Sequence, residues 1–500
     1  MKRTTLMVMI VTVVAKIFGF LRDRVIYYFF GYGVISDAFS LAFGIPSLLL
    51  SVVVAALVTG FIPMYTRIDH DDPDSSNTFV NNVFNILVLF SFVMGLMMFL
   101  FPGLIVKLTA SGFSAEANAL ATQFVRIFSV SVISVAVIQL GTGFLNINDS
   151  FLLPNLISIP SNIIIIGSVV VSHSTGNTNM MGYGGAIGFT LQGVMMLIYM
   201  YRYGFRYNFI LDFKDKYLNE MIIISLPVLL SSVVVALDDL LMRSYATIIH
   251  ADGGYSFINS SYRLNGFATS LFVAGVLSVA YPTIAKAAAK NDRVKVVHSM
   301  HDAILLIALF IIPATIGFIT LSYEVVAFVY GGGKVGPDEL VVLSNIFKMS
   351  AAGLFFIGLR DLFIRIHYAY QDMKTPLKAY IIYGCVDLVL FIVLGHFLGL
   401  KGLTLASSLS TTIVVFYLFD TLLKRFKRLG MSAILKDLVK IIVSSALMGI
   451  AIMILKSLLA NVLSDFRMLV LSVIVGVAVY FASVMFLKVD LVLSILKRKS

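Results

Sequence analysis

Residues 5–30 read TLMVMIVTVVAKIFGFLRDRVIYYFF, an apolar run that carries Lys16, Arg22, Asp23 and Arg24. A helix needs about 20 residues to cross a bilayer, so this run can span one. It is too long, and its charges sit too deep, for a cleavable signal peptide. An ion at that depth is costly unless it faces a cavity or a partner. The stretch therefore predicts a membrane-spanning helix and marks the first side chains whose chemistry needs an explanation.

Further runs, broken by turn residues, lie at 34–66, 79–107, 119–145, 152–172, 183–201, 217–248, 256–285, 301–330, 339–368, 376–395, 400–423, 433–459 and 466–488. The chain is 59% apolar and 13% charged, against globular averages of roughly 47% and 25%. Only helices and closed barrels satisfy their backbone in lipid, and long runs without alternation favour helices. The expected fold is an all-α polytopic membrane protein with fourteen transmembrane helices.

The basic residues test that count. With the N-terminus inside, the inner segments hold 22 Lys and Arg, among them Lys2, Arg3, Arg428, Lys497, Arg498 and Lys499. The outer segments hold only Lys107, Lys334, Lys401 and Arg467. A missed or invented span would collapse this bias, so both termini are expected in the cytoplasm. The net charge of +11 then reports how the loops face the membrane rather than nucleic acid. One cysteine, Cys385, and seven scattered histidines exclude a disulfide framework and a Cys/His zinc site. Trp is absent, so interfacial anchoring falls to Tyr, Lys and Arg.

Phe144-Leu-Asn-Ile-Asn-Asp149 before Pro154 resembles His367-Tyr-Ala-Tyr-Gln-Asp372 before Pro376, each joining a fourth span of six to a fifth. Gly185-Ala-Ile-Gly188, expected to open helix 6, and Lys401-Gly-Leu-Thr404, opening helix 12, agree in style. An even number of helices per unit preserves orientation. The repeat therefore predicts two six-helix lobes, 1–203 and 204–428, related by a pseudo-two-fold along the membrane normal, with the substrate site between them. Helices 13 and 14, in 429–500, are left over.

Charges inside the spans supply the candidate site. Lys16 lies about 17 Å into the first helix, near the bilayer middle. It shares a face with Asp23 to within about 20°, whereas Arg22 and Arg24 turn away by roughly 100°. Two readings stand: outward snorkelling with Asp23 neutralising one base, or a cationic wall for an anion. In helix 7, Asp239 and Arg243 stand at i,i+4, so one of Asp238 and Asp239 is expected to be paired. The other, with the lone acid Asp387 of helix 11 and Thr404 of helix 12, offers hard oxygens for sodium or a proton; pairing with Lys348, Arg360 or Arg365 is the alternative. Arg263 is solitary in helix 8, and its planar fork suits pyrophosphate or carboxylate. Asp69 to Asp74 lacks the glycine and closing glutamate of a calcium loop, and Gly331-Gly-Gly-Lys334 lacks the spacing of a phosphate loop. No Ser/His/Asp set supports catalysis, so a transporter is expected rather than an enzyme.

The ordered set Gly19-Phe20-x-Arg22-Asp23, Phe30-Gly31-x-Gly33, Asp37-Ala38-Phe39, Phe43, Ile45-Pro46 and Phe61-Ile62-Pro63 resembles the MurJ/MviN family of lipid II flippases. Tyr262-Arg263-Leu264, Phe267, Pro282 and Gln371-Asp372-x-Lys374-Thr375-Pro376 fit the family's second half. The resemblance implies two six-helix lobes around a cationic cavity, and a polyprenyl-tail groove along helices 13 and 14. It also implies substrate-contacting roles for Lys16, Arg22, Asp37 and Arg263, to which the charge reading adds Arg24, and a sodium site at Asp238 or Asp239 with Asp387 and Thr404. The sequence departs from the family where a paired arginine gives way to Leu50 and Ser51, and where Tyr262 and Gly266 replace acids beside Arg263.

The expected activity is flipping of undecaprenyl-pyrophosphate-linked peptidoglycan precursor across a bacterial plasma membrane by alternating access. A flippase for another polyprenyl-linked oligosaccharide and a cation-coupled drug exporter are the alternatives; the second needs a net acidic cavity. No cofactor beyond sodium, and no nucleic-acid partner, is expected.

Overall fold

The computed structural model describes residues 2–56, 60–427, 430, 432–459 and 462–492. Arg428, Lys497, Arg498 and Lys499 lie outside the described residues, as do the side chains of Lys2 and Arg3. Two compact units divide the chain, Met1–Ser256 and Phe257–Ser500. Twelve described helices are long and apolar enough to cross a membrane, or thirteen if one bent pair counts as a single span. The chain is a multi-pass membrane protein.

In the first unit the helices are α1 (Lys2–Phe30), α2 (Val34–Ala56), α3 (Ile62–Asp71), α4 (Pro73–Leu100), α5 (Pro102–Thr109), α6 (Ala115–Phe128), α7 (Ser131–Ile147), α8 (Leu153–Leu156), α9 (Ser158–Thr175), α10 (Asn179–Arg202) and α11 (Lys216–Ile249). α1 runs unbroken through Gly19 and stops at Gly31, whose φ of +68° is a left-handed cap that glycine adopts without steric cost. Gly33 then starts the next turn, its N–H donating to Ser36 Oγ and its carbonyl accepting from Asp37 N–H. α1 packs on α9, α2 on α6 and α11, and α10 on α7 and α9.

The second unit takes in most of α12 (Gly254–Ala268), a π-helical turn (Thr269–Val273), α13 (Ala274–Ala289), α14 (Arg293–Thr320), α15 (Ser322–Tyr330), α16 (Pro337–Ala351), α17 (Leu354–Ala369), α18 (Lys374–Leu398), α19 (Leu400–Phe426), α20 (Ser432–Leu459) and α21 (Asp465–Phe486). α18 and α19 lie along each other as a hairpin, α20 pairs with α21, and α14 packs on both α17 and α20.

Several apolar runs are broken where hydropathy is silent. The 34–66 run holds α2, described as far as Ala56, and α3, which follows the helical residues Gly60 and Phe61 with Pro63 in its first turn. Pro102 separates α5 from α4, because proline starts a helix readily and cannot continue one. The 119–145 run bends by 55° between α6 and α7. Gly95 of α4 lies tight against the Ser129 carbonyl at that bend. Gly185 does not open α10, which starts at Asn179; it lies two turns in, where the Phe128 ring leaves no room for a Cβ.

The repeated polar turn recurs with a shifted correspondence. Asp149 and Gln371 both take positive φ, at 55° and 57°. The following amides, Ser150 N–H and Asp372 N–H, donate five residues back to Leu145 and His367. Asp149 thus matches Gln371, not Asp372, because the left-handed residue after the helix sets the register, whatever its side chain.

Candidate functional site

Both charges of the Arg22–Asp23 pair are buried on α1. Arg22 Nε and Nη2 donate to Asp23 Oδ1 at 3.0 and 2.8 Å, and Nη1 donates to Asn162 Oδ1 of α9 at 3.2 Å. The Phe43 ring of α2 lies below the guanidinium, 4.4 Å from centroid to carbon. A stem of three methylenes lets the Arg22 head swing to its neighbour's carboxylate, which the helical angle between the two positions does not forbid. The result is an oriented guanidinium whose charge is balanced within the helix. Lys16 and Arg24 are half-buried on the same helix.

Asp37 is fully buried. Its Oδ2 accepts the Gly253 N–H and its Oδ1 the Ser256 N–H, both at 2.7 Å. These amides open α12, where unpaired donors and the helix dipole favour an anion. The carboxylate expected to meet substrate thus ties the start of α2 to the start of α12. Leu50 is buried, and Ser51 Oγ donates to the Leu48 carbonyl, so neither supplies charge.

On α11, Asp239 is the paired acid: Arg243 Nε and Nη2 reach Asp239 Oδ2 at 3.0 and 2.8 Å. Arg243 also lies 5.2 Å over the Tyr255 ring and presses on Gly44, where a Cβ would meet Nη1 at 2.9 Å. Asp238 is half-buried one position earlier.

In the second unit, Arg263 is half-buried on α12. The Tyr262 hydroxyl beside it donates to Ser407 Oγ at 3.1 Å; Ser407 Oγ donates to Asp387 Oδ2 and Ser410 Oγ to Asp387 Oδ1, each at 3.1 Å. α12, α19 and α18 are joined by this hydroxyl chain ending on a carboxylate with no exposure. Thr404 lies one turn before Ser407, its hydroxyl turned to the Ile346 carbonyl at 3.2 Å. The four residues of the expected cation site are divided two and two between the units. Among the described residues, no cluster of three or more His, Cys, Asp or Glu could hold a metal ion. Arg360 pairs with Asp361 at 3.0 Å, and Arg365 lies 5.7 Å over Tyr281.

Asn162, Ser407 and Ser410 are site residues that sequence reasoning missed, and Phe43 entered it only as part of a motif. Asn162 stands 140 positions from Arg22, and neutral polar side chains in a span carry no spacing signal until their partner is known.

Comparison with known proteins fits this geometry. The family model described as "Lipid II flippase MurJ" matches residues 26–474. A "Probable lipid II flippase MurJ" of Rickettsia prowazekii is 26% identical, over 97% of this chain and 98% of that one. A "Lipid II flippase MurJ" of Thermosipho africanus is 25% identical, over 95% of each. Among solved structures, "Lipid II flippase MurJ, inward closed conformation" superposes with a TM-score of 0.81 at 24% identity, covering 97% of this chain and all of that one. An inward-facing multidrug resistance MATE transporter superposes less well, with a TM-score of 0.70 at 15% identity, over 84% of this chain and 98% of that one. With matching helices, matching motifs and a match over most of its length, the chain belongs to the lipid II flippase MurJ family.

Proposed function

We propose that this chain is a carrier that flips lipid II, an undecaprenyl-pyrophosphate-linked peptidoglycan precursor, from the inner to the outer leaflet of a bacterial plasma membrane. The observation that carries the reading is the family match across residues 26–474, joined by relatives of the same length that bear this activity in their names. In this reading α1, although too charged to be counted with the apolar spans, is the fourteenth crossing, and both termini are cytoplasmic. Helices 1–6 (1–203) and 7–12 (204–428) form lobes related by a pseudo-two-fold, and α20 and α21 (within 429–500) hold the lipid tail.

Moving a diphosphate through hydrocarbon unaided would cost roughly 10 kcal/mol or more, so the path needs fixed positive charge. Lys16, Arg22, Arg24 and Arg263 are the groups we assign to it, within a cationic cavity that opens to each side in turn. Arg22 is pre-oriented by Asp23 and Asn162, so a diphosphate oxygen meets a guanidinium whose rotamer entropy is already lost. Asp37, holding the start of α12, acts as a latch. For coupling, Asp387 with the Ser407 and Ser410 hydroxyls supplies the oxygen donors that sodium takes, with Thr404 and Asp238 as the further members of the set.

Two measurements test the reading. Purified protein in liposomes should expose labelled lipid II to an external probe, and protein-free liposomes should not; equal exposure in both overturns the assignment. In cells depleted of their own flippase, the unmodified chain should restore growth, and Lys16→Ala and Arg263→Ala should not. Growth with both variants removes the anion site.

A further inference from the structure

Residues 203–215 join two candidate membrane spans, α10 ending at Arg202 and α11 starting at Lys216. The linker is extended, and asparagines of α4 hold its backbone. The N–H groups of Arg206, Asn208 and Asp212 donate to Oδ1 of Asn77, Asn81 and Asn82 at 3.2, 2.7 and 2.8 Å. In return, the Arg206 carbonyl accepts from Nδ2 of Asn77 and Asn81, at 3.0 and 2.8 Å. Asn85 Nδ2 donates to the carbonyls of Asn208 and Ile210, at 3.1 and 3.0 Å, and Asn82 Nδ2 to that of Asp212 at 2.8 Å.

The fit is a matter of pitch. Asn77, Asn81 and Asn85 stand four apart, about 6 Å of helix rise, and an extended chain covers about 6.6 Å in two residues. Residues 206, 208 and 210 therefore meet successive asparagines. Phe205 pins the start of the strand, buried against Phe84 and Phe144.

The ladder uses the backbone of the even residues and covers few side chains, and Arg206, Asn208 and Asp212 are themselves exposed. Tyr207, Phe209, Leu211 and Phe213 are all exposed, Phe209 by 72%. The bases Arg202, Lys214 and Lys216 flank them, also exposed. The candidate span in α4 begins at Ser75, so the ladder from Asn77 to Asn85 climbs beside the first turns of a membrane crossing. At such depth an irregular backbone needs partners; asparagine amides serve one edge, and headgroups and their water serve the other. A row of aromatic and aliphatic side chains between bases suits the boundary of an anionic leaflet, in a chain without Trp.

We propose that residues 203–214 form an interfacial strap. Tyr207, Phe209, Leu211 and Phe213 sink into the headgroup boundary, while Lys214, Lys216 and Arg202 bind the headgroups of anionic phospholipid.

The absence of Trp makes the test direct, because Phe209→Trp introduces the sole indole. In full-length protein reconstituted in phosphatidylglycerol-containing vesicles, its emission should be blue-shifted. Lipids brominated near the headgroup should quench it at least about twofold more than lipids brominated near the chain end. Lys214→Gln with Lys216→Gln should weaken the difference in quenching between phosphatidylglycerol and phosphatidylcholine vesicles. Asn81→Ala with Asn85→Ala, at unchanged helix content, should abolish the depth preference; a preference that survives overturns the ladder's role. If that pair fails to fold, the lysine variants decide the proposal alone. Emission that stays aqueous in vesicles, leaving the row for a protein partner, overturns the proposal, as does quenching strongest from the chain ends.

Discussion

Arg22 shows what a buried base requires. All three of its nitrogens are engaged, and its side chain is 7% exposed, as is that of Asp23. Removing one member strands the other, at a cost of about 3–5 kcal/mol. Arg22→Ala should therefore lower the melting midpoint in detergent sharply, and Arg22→Ala with Asp23→Ala should recover part of the loss. If the double variant melts no higher than the single one, the pair is not what stabilises this part of α1. Arg22→Lys keeps the charge but not the fork, so it should retain stability better than it retains transport. The sequence made Arg22, Asp23, Asp37 and Arg263 visible, because charge inside an apolar run stands out. It could not show that Asp37 clasps an amide pair more than 200 positions away, since a helix start has no signature in the chain it recruits.

Among the elements, spans were legible and their interruptions were not. Each of the fourteen apolar runs contains a helix, because burial in lipid demands about 20 apolar residues whatever their order. The breaks at Phe101, Ser129–Val130 and Leu321 depend on packing and on local turn chemistry, to which averaged hydropathy is blind. The α18–α19 hairpin depends on Gly402, where a Cβ would overlap the Leu394 carbonyl. Gly402→Ala should destabilise by about 1–3 kcal/mol, read as a lower thermal midpoint, since backbone cannot step aside as a flexible side chain can. At the α17–α18 turn, burial acts to raise the Asp372 carboxyl. The Thr375 N–H and hydroxyl, with His367, outweigh it and hold the group below its ordinary value. A depressed carboxyl stabilises the fold above its unfolded pKa and loses that contribution as pH falls through the folded value. Protection against hydrogen exchange in residues 370–376, relative to the intrinsic rate at each pH, should therefore fall as pH drops below about 4. Asp372→Asn should remove most of that dependence.

For the molecule as a whole, the coupling ion governs the energetics, since each charge moved across 100 mV changes the balance by about 2.3 kcal/mol. If Asp387 coordinates sodium, flipping in liposomes should speed up in a sodium gradient relative to potassium, and Asp387→Asn should erase the difference without unfolding the protein. Equal rates in both salts would leave the Tyr262–Ser407–Asp387 chain as a structural tie. A last consequence follows from the π-helical turn at Thr269–Val273. Such a turn holds one residue more than the α-helix around it. Deleting a single amino acid there would let the rod close regularly with little change of phase, whereas the same deletion in α13 just after it would rotate everything downstream by about 100°. After that second deletion Arg263 would keep its aspect, while Pro282 and Lys286 would swing to foreign neighbours. The wide turn therefore absorbs one residue and keeps in step two halves that hydropathy reads as a single crossing.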